Sequence, residues 1–310
     1  MALRSVHDVP APAKLNLFLH VVGRRADGYH LLQSVFVLID WCDTLHFERR
    51  DDDARLQRHD LGTALPADDL CLRAARALQA ASGCRLGVDI SIDKQVPSGA
   101  GMGGGSSDAA TTLLVLNRLW GLNWPRVRLL ELALGLGADV PFFVGGHNAW
   151  VEGIGERLTP LQVPPQWLAV VKPPASIETR AIFTSPLLAR DTEAATILGF
   201  LAGDGERALA QGYGRNDLQG PAEAVCPEVV EAGRWLTARF GNSRMTGSGS
   251  AVFARAGRRD ESMPGSNAAG DGTELPPVAT WPADLPEGWV GRMCRSLPRH
   301  PLADWVDEGL

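Results

Sequence analysis

Five glycines fall within seven residues of the stretch Pro97-Ser98-Gly99-Ala100-Gly101-Met102-Gly103-Gly104-Gly105-Ser106-Ser107-Asp108-Ala109-Ala110. Regular structure is not expected across such a run, because each glycine carries a large entropic cost of ordering. The run does permit positive φ and close backbone approach, so successive amide N–H groups can line a concavity for an anion. Directly after it, Ser107 has the chemistry of a helix N-cap and Asp108 suits a first helical turn. Ala109, Leu113, Leu116 and Trp120 then recur at helical spacing, and Gly121 marks a stop. A glycine-rich loop feeding a helix N-terminus has the form of a phosphate site.

Two common phosphate loops do not fit. Gly99, Gly101 and Gly104 match the G-x-G-x-x-G pattern, but a dinucleotide fold wants an acid about twenty residues further on. Gly121-Leu122-Asn123-Trp124-Pro125 stands there instead, a turn without an acid. A Walker-type loop needs a lysine after its glycines, and Gly104-Gly105-Ser106 has none. A flexible linker would not open a capped helix. The net charge of −6 over 310 residues weighs against bulk nucleic-acid binding. Phosphate must therefore be held locally, by oriented amides and a few cationic side chains. The five cysteines show no C-x-x-C spacing, so neither a zinc site nor a disulfide framework is signalled. Arg4, His7, Asp8 and Pro10 precede any apolar run and no stretch reaches membrane-spanning length, so a cytoplasmic location is expected.

Around this loop the chain alternates strand and helix patterns. Residues 14–22 read as a strand, with Leu15, Leu17, Leu19 and Val21 on one face and Lys14, Asn16, Phe18 and His20 on the other. Asp27-Gly28 signals a turn before Tyr29 and His30, and 31–41 reads as a second strand. That makes a hairpin with a basic, aromatic tip, either incidental or a platform for a base. Residues 49–60 read as a charged connection, 70–81 as a helix, and 88–93 as a strand that delivers Lys94 to the glycine loop. A further helix is expected over 125–136. Asp139 then sits before a Val-Pro-Phe-Phe run, in a loop buried by aromatics, either as a capping aspartate or as a functional one. The texture changes near 160–165, which divides the chain into 1–163 and 164–310. Beyond it come a short strand over 167–171, a helical stretch from Asn216-Asp217-Leu218 to Phe240, and a second glycine-serine turn at 244–253. A Gly-, Pro- and Asp-rich segment over 258–285 reads as a mobile insertion before a last strand over 289–295.

Three motifs occur in order: the Lys14/Asn16 strand, the loop from Pro97 to Ser107, and the turn around Gly247. Together they resemble the GHMP small-molecule kinases. Asp27-Gly28-Tyr29-His30, Gly137-Ala138-Asp139-Val140-Pro141-Phe142-Phe143, Asn216-Asp217-Leu218 and Arg299-His300-Pro301-Leu302 extend the likeness over nearly the whole chain except 258–285. The resemblance implies an α+β fold, with an N-terminal domain like domain 2 of ribosomal protein S5 and a ferredoxin-like C-terminal domain. Within the superfamily, it points to the member that phosphorylates the tertiary 2-hydroxyl of a cytidylyl-linked methylerythritol. ATP is implied as co-substrate with Mg2+, and no metal-ligating residue is singled out. Matched positions make Lys14 and Asp139 the catalytic pair, and Pro97, Ser98, Gly99, Ala100, Gly101, Met102, Gly103, Gly104, Gly105, Ser106 and Ser107 the ATP phosphate loop. Asn16, Tyr29, His30, Lys94, Thr179 and Phe183 fall where the substrate would be held. Two positions depart from the family pattern: Arg180, where proline is common, and Asp69, where asparagine is. No nucleic acid or membrane partner is expected, and the chain would act as a monomer or weak homodimer. The alternatives are a mevalonate- or homoserine-type kinase, or a diphosphomevalonate decarboxylase, on the same fold.

Overall fold

The computed structural model describes residues 3–51, 53–257 and 281–308, so most of the 258–285 segment lies outside the described residues. Two long strands, β1 (Ser5–Arg24) and β2 (His30–Arg50), pair antiparallel and form its spine. They are followed by β3 (Leu56–Asp60), α1 (Leu70–Ser82), β4 (Gly87–Asp93), α2 (Gly104–Leu119), α3 (Arg126–Leu136), α4 (Val140–Gly145), β5 (Ala149–Gly153), β6 (Arg157–Pro160) and β7 (Trp167–Lys172). Short helices α5 (Thr179–Thr184), α6 (Ile197–Ala202) and α7 (Gly205–Ala210) lead to α8 (Gln219–Val225), α9 (Pro227–Phe240), β8 (Arg244–Met245), β9 (Val252–Arg255) and β10 (Val290–Leu297).

A single sheet path runs β3-β4-β2-β10-β7-β9-β8, with β1 and β5 also paired to β2. The two expected halves are therefore joined edge to edge: Ser296 and Leu297 of β10 pair with Ile39 and Leu38 of β2, while the rest of β10 pairs with β7. One apolar cluster packs α1 and α2 on the N-terminal strands through Leu38, Phe47, Ile90 and Leu113. A second, through Leu15, Phe18, Trp150, Val170 and Phe253, fills the junction between the halves, and a third lies under α8 and α9.

The structure departs from the expected pattern at four elements. In β1 the pairing register shifts between Asn16 and Leu19. A bulge reverses side-chain parity, so Phe18 joins Leu15 and Leu17 in the central core while Leu19 turns to the cleft beside Lys14 and Asn16. The charged connection contains β3, parallel to β4, where Arg58 is ion-paired to Asp60 at 2.7 Å and to Asp69 at 3.0 Å. Those paired charges disguise a strand as a loop. The 216–240 stretch is two helices, broken at Cys226-Pro227 because proline cannot donate the next helical bond. Finally, α2 begins at Gly104 rather than Ser107: Gly103, at φ 71°, is the N-cap, and Ser107 N–H donates to the Gly103 carbonyl at 2.9 Å. Ser107 is fully buried, and Asp108 lies beyond the first turn.

The glycine loop and the second turn meet backbone to backbone. A Cβ at Gly101 (φ +71°) would lie 2.5 Å from the Thr246 carbonyl oxygen, and one at Gly247 (φ +54°) 2.7 Å from the Gly101 carbonyl oxygen. Gly101→Ala should accordingly lose about 1–3 kcal/mol from φ strain alone, with the overlap adding to it. Gly105→Ala, whose Cβ would meet only Leu70 at 3.8 Å, should change stability by no more than about 0.5 kcal/mol. Urea unfolding midpoints of the two variants test this contrast.

Candidate active site

The loop is built by alternation. Gly99, Gly101 and Gly103 take φ of 63°, 71° and 71°, while Ala100 and Met102 between them send their side chains into the central core. Each anchor fixes the neighbouring left-handed residue, so a glycine-rich segment becomes rigid. The loop is held on both sides. Lys14 N–H donates to the Met102 carbonyl at 2.9 Å, and Ser250 and Ala251 N–H donate to Gly99 and Ala100 carbonyls at 3.3 Å. Asn216 braces the second turn by donating to the Met245 and Gly247 carbonyls at 2.7 and 2.8 Å.

Pinned in this way, the loop divides two cavities. The inner one, of about 400 Å³, is lined by Lys14, Asn16, Asp139, Thr179, Phe183 and Ser248, with Gly99, Gly101, Gly103 and Ser106 forming its shared wall. The outer one, of about 320 Å³, is lined by Leu70, Lys94, Val96 and the whole of 97–106. A group bound outside can be passed inward only around or across this wall of backbone amides. Ser107, expected as part of the loop, lines neither cavity; it is buried in α2 because the helix starts three residues earlier than its capping chemistry indicates.

Lys14 and Asp139 come together as expected, with Nζ 3.5 Å from Oδ2. The lysine is nearly buried and the carboxylate about a third exposed, at 4% and 31% of the side chain. Lys14 Nζ also donates to Asn16 Oδ1 at 2.7 Å and stands 4.3 Å from the centre of the Phe36 ring. Asn16 is itself fixed: its Nδ2 donates to Ser34 at 2.9 Å, and its Oδ1 accepts from Gly247 N–H at 3.1 Å. Asp139 is not in a buried loop; it is the residue before α4, and its side chain makes no capping hydrogen bond. The carboxylate is therefore left for the cleft. Helix α4 is seated from behind by Arg126, which donates to the Val144, Ala303 and Val306 carbonyls.

Lys94 is not at the substrate end. It is folded under the loop, bonded to Asp43 and to Asp108 Oδ2, the latter at 2.6 Å. Asp43 Oδ1 also accepts from Gln95 and Val96 N–H at 2.7 and 2.8 Å, which ties β2 to the start of the loop. Two buried carboxylates demand a cation, and that requirement overrides any reach toward the inner cleft. Burial pushes the Asp108 carboxyl up to about 7, against the pull of Lys94 and with Asp43 adding to the rise. Neither Asp43 nor Asp108 stood out as functional in the sequence. Asp69, one of the two departures, is the N-cap of α1, accepting from Leu72 N–H at 3.1 Å. Arg180, the other, is exposed on α5.

Phe183 lines the inner cleft and His30, which lines neither cavity, stacks behind it with ring centroids 5.1 Å apart. Arg190 Nε donates to His30 Nε2 at 3.2 Å, which leaves Nδ1 to carry the proton of the neutral ring. Burial, helped by Arg190 and Arg24, lowers the His30 pKa and favours that neutral form. The result is a stacked aromatic pair held by Arg190, the member that sequence reasoning missed. Tyr29 is 61% exposed at the hairpin tip and lines neither cavity. Thr179 bonds Ser248 at 2.8 Å, closing the cleft between α5 and the second turn.

A wall of glycine amides with a lysine–aspartate pair on one side has the form of a phosphoryl-transfer cleft, and the model of the GHMP kinase N-terminal domain matches residues 69–147. Solved structures of a homoserine kinase from Cytophaga hutchinsonii (18% identical, TM-score 0.60, covering 82% of this chain and 85% of that one) and of L. major mevalonate kinase (15%, 0.58, 84% and 90%) share the fold. The likeness to 4-diphosphocytidyl-2-C-methyl-D-erythritol kinases is nearer. The protein of that name from Methylibium petroleiphilum is 65% identical over 99% of this chain and 100% of its own, and that from Paracidovorax citrulli 54% over 99% of each. A crystal structure of 4-(cytidine 5'-diphospho)-2C-methyl-D-erythritol kinase is 37% identical with a TM-score of 0.68, over 80% of this chain and 90% of that one. The chain belongs to the 4-diphosphocytidyl-2-C-methyl-D-erythritol kinase family.

Two predictions follow from this geometry. Gly105→Val adds bulk to the outer cavity next to Leu70 without backbone strain, so the KM for ATP should rise at least several-fold while the unfolding midpoint stays near the parent. A raised folded-state pKa at Asp108 means the native state holds a proton that the unfolded state gives up near 3.8. Its contribution to stability is complete below about pH 4 and is lost as pH rises through about 7. Asp108→Asn should flatten the fall in stability across that window, as read from urea midpoints at successive pH values.

Proposed function

We infer that this protein transfers the γ-phosphoryl group of ATP to the 2-hydroxyl of 4-diphosphocytidyl-2-C-methyl-D-erythritol, giving the 2-phosphate and ADP in the non-mevalonate route to isoprenoid precursors. The observation that carries the reading is the glycine loop as the common wall of two cavities, with Lys14 and Asp139 on the inner side. Phosphoryl transfer asks mostly for positioning and for charge stabilisation where charge develops. ATP phosphates would lie on the amides of 98–106 and near the N-terminus of α2, whose dipole favours anions. The acceptor would enter the inner cleft with its methylerythritol end toward Asp139 and its cytosine toward His30 and Phe183.

In this arrangement Asp139 accepts the hydroxyl proton as the oxygen attacks the γ-phosphorus and the bond to the β-phosphate oxygen breaks. Lys14, held by Asn16 and 3.5 Å from Asp139, stabilises the charge of the transferring group. Phe183 and His30 supply the stacking face and one N–H donor for a pyrimidine edge. Mg2+ would arrive with ATP, since it usually keeps several waters and binds through phosphates with few protein oxygens. The half-buried Ser106 hydroxyl, on the shared wall, is placed to contribute one. When bound, the ion neutralises phosphate charge.

The test is ADP release with purified protein and candidate acceptors. The reading expects ADP formation to depend on the cytidylyl substrate, with a product heavier by one phosphoryl group. Turnover with mevalonate or homoserine instead would select one of the sister activities on this fold. His30→Ala should raise the KM for the cytidylyl substrate by about 1–3 kcal/mol of lost binding and leave that for ATP near the parent value. Equal losses for both would make the His30–Phe183 stack merely structural.

A further inference from the structure

Outside the catalytic cleft lies a larger cavity, of about 760 Å³, between α7, β7, the end of α9 and β9. Its walls include Pro165, Gln166, Trp167, Arg207, Phe240 and Arg255, and it shares no residue with either active-site cavity. No aspartate or glutamate among the described residues lines it. Arg255 is largely buried, and its Nε and Nη2 find no hydrogen-bond partner among the described residues. Both polar atoms of the Gln166 side chain, a residue only 8% exposed, are likewise unpartnered.

A second guanidinium sharpens the imbalance. Arg244 donates only to the backbone carbonyls of Leu17, Gly212, Tyr213 and Gly214. Arg255 packs on the same turn, where a Cβ at Gly212 would lie 2.8 Å from its Nη1. Burial lowers the pKa of both arginines, and the neighbouring Arg255 adds to the effect on Arg244. No described carboxylate pairs with either. A buried charge without a partner is costly, and arginine forks match oxyanions in two-pronged geometry. The backbone of Arg255 is meanwhile fixed, since Asn242 accepts from its N–H at 2.8 Å and donates to its carbonyl at 3.0 Å. The base of the side chain is thus fixed, while its Nε and Nη2 find no anion among the described residues. Arg207, on the rim, adds a second positive group, which stands 3.9 Å from Asp204.

We propose that this cavity is a second ligand site, separate from the catalytic cleft, that takes a small oxyanion carrying an apolar body, with Arg255 as its anchor and Trp167 and Phe240 as its apolar walls. Its volume is within the range of small-molecule sites. A phosphate ester and a carboxylate share the required chemistry, so both serve as probes.

The experiment measures thermal unfolding of the full chain saturated with Mg2+ and a non-hydrolysable ATP analogue, titrated with phenyl phosphate or with benzoate. At least one probe should raise Tm in a saturable manner; phenyl phosphate alone identifies a phosphate ester, benzoate alone a carboxylate, and both a general oxyanion site. Arg255→Met should weaken that response at least tenfold while being no less stable than the parent without anion, because it removes an uncompensated charge. Arg207→Ala, an exposed change that keeps the fold, should weaken the response several-fold and serves alone if Arg255→Met does not fold. No response of the parent to either probe overturns the proposal. So does a response that both variants retain in full.

Discussion

The site depends on a contact between two stretches of bare backbone. Gly101 and Gly247 approach so nearly that neither can carry a side chain, and through that contact the N-terminal loop is locked to the turn between β8 and β9. Everything functional is referenced to this junction. Asn16 bonds the turn through Gly247, Lys14 bonds the loop through Met102, and both residues belong to β1. A shift of the turn would therefore move the loop amides and the Lys14–Asn16 pair together. This is how a loop of high intrinsic entropy is made rigid: alternate residues, Ala100 and Met102, are core anchors, and the glycines between them stay fixed.

Charge is handled locally in an acidic chain. Each lysine near the loop is committed by fixed partners, Lys14 by Asn16 and Asp139, and Lys94 by Asp43 and Asp108. The first pair faces the inner cleft, where a transferring group would arrive. The second lies under the loop at the wall of the outer cavity and holds the loop's entry strand to β2. Two lysines that look alike in sequence are thus separated by what surrounds them: one open acid for Lys14, two closed ones for Lys94.

Much of this was legible in the sequence because it depends on local rules. The glycine pattern, the Lys14/Asn16 strand and Asp139 ahead of Val-Pro-Phe-Phe are brought to one cavity, and the helices read over 70–81 and 125–136 are α1 and α3 nearly to the residue. What was not legible depended on distant partners. The bulge after Asn16 is set by pairing with β2, not by the residues of β1. The strand Leu56–Asp60 is stabilised by Arg58 pairs that read as solvated charge. The pairing of Lys94 was not legible because Asp43 is 51 residues away in the chain, and Arg190 was missed because only folding carries it to His30. The helix start at Gly104 defied propensity, since the tertiary clamp on Gly103 overrides glycine's dislike of helices.

The account turns on Lys14 and Asp139 acting as one unit across the glycine wall. The direct measurement is a single-turnover phosphoryl-transfer rate for the parent, Lys14→Met, Asp139→Asn and the double variant, with ligand affinities and unfolding midpoints taken alongside. Each single change should cut the rate, Asp139→Asn by at least about 10²-fold, and the double variant should lose clearly less than the product of the two. Affinities and midpoints should stay near the parent. An Asp139→Asn variant that keeps most of its rate, or losses that multiply independently in the double variant, would contradict the account.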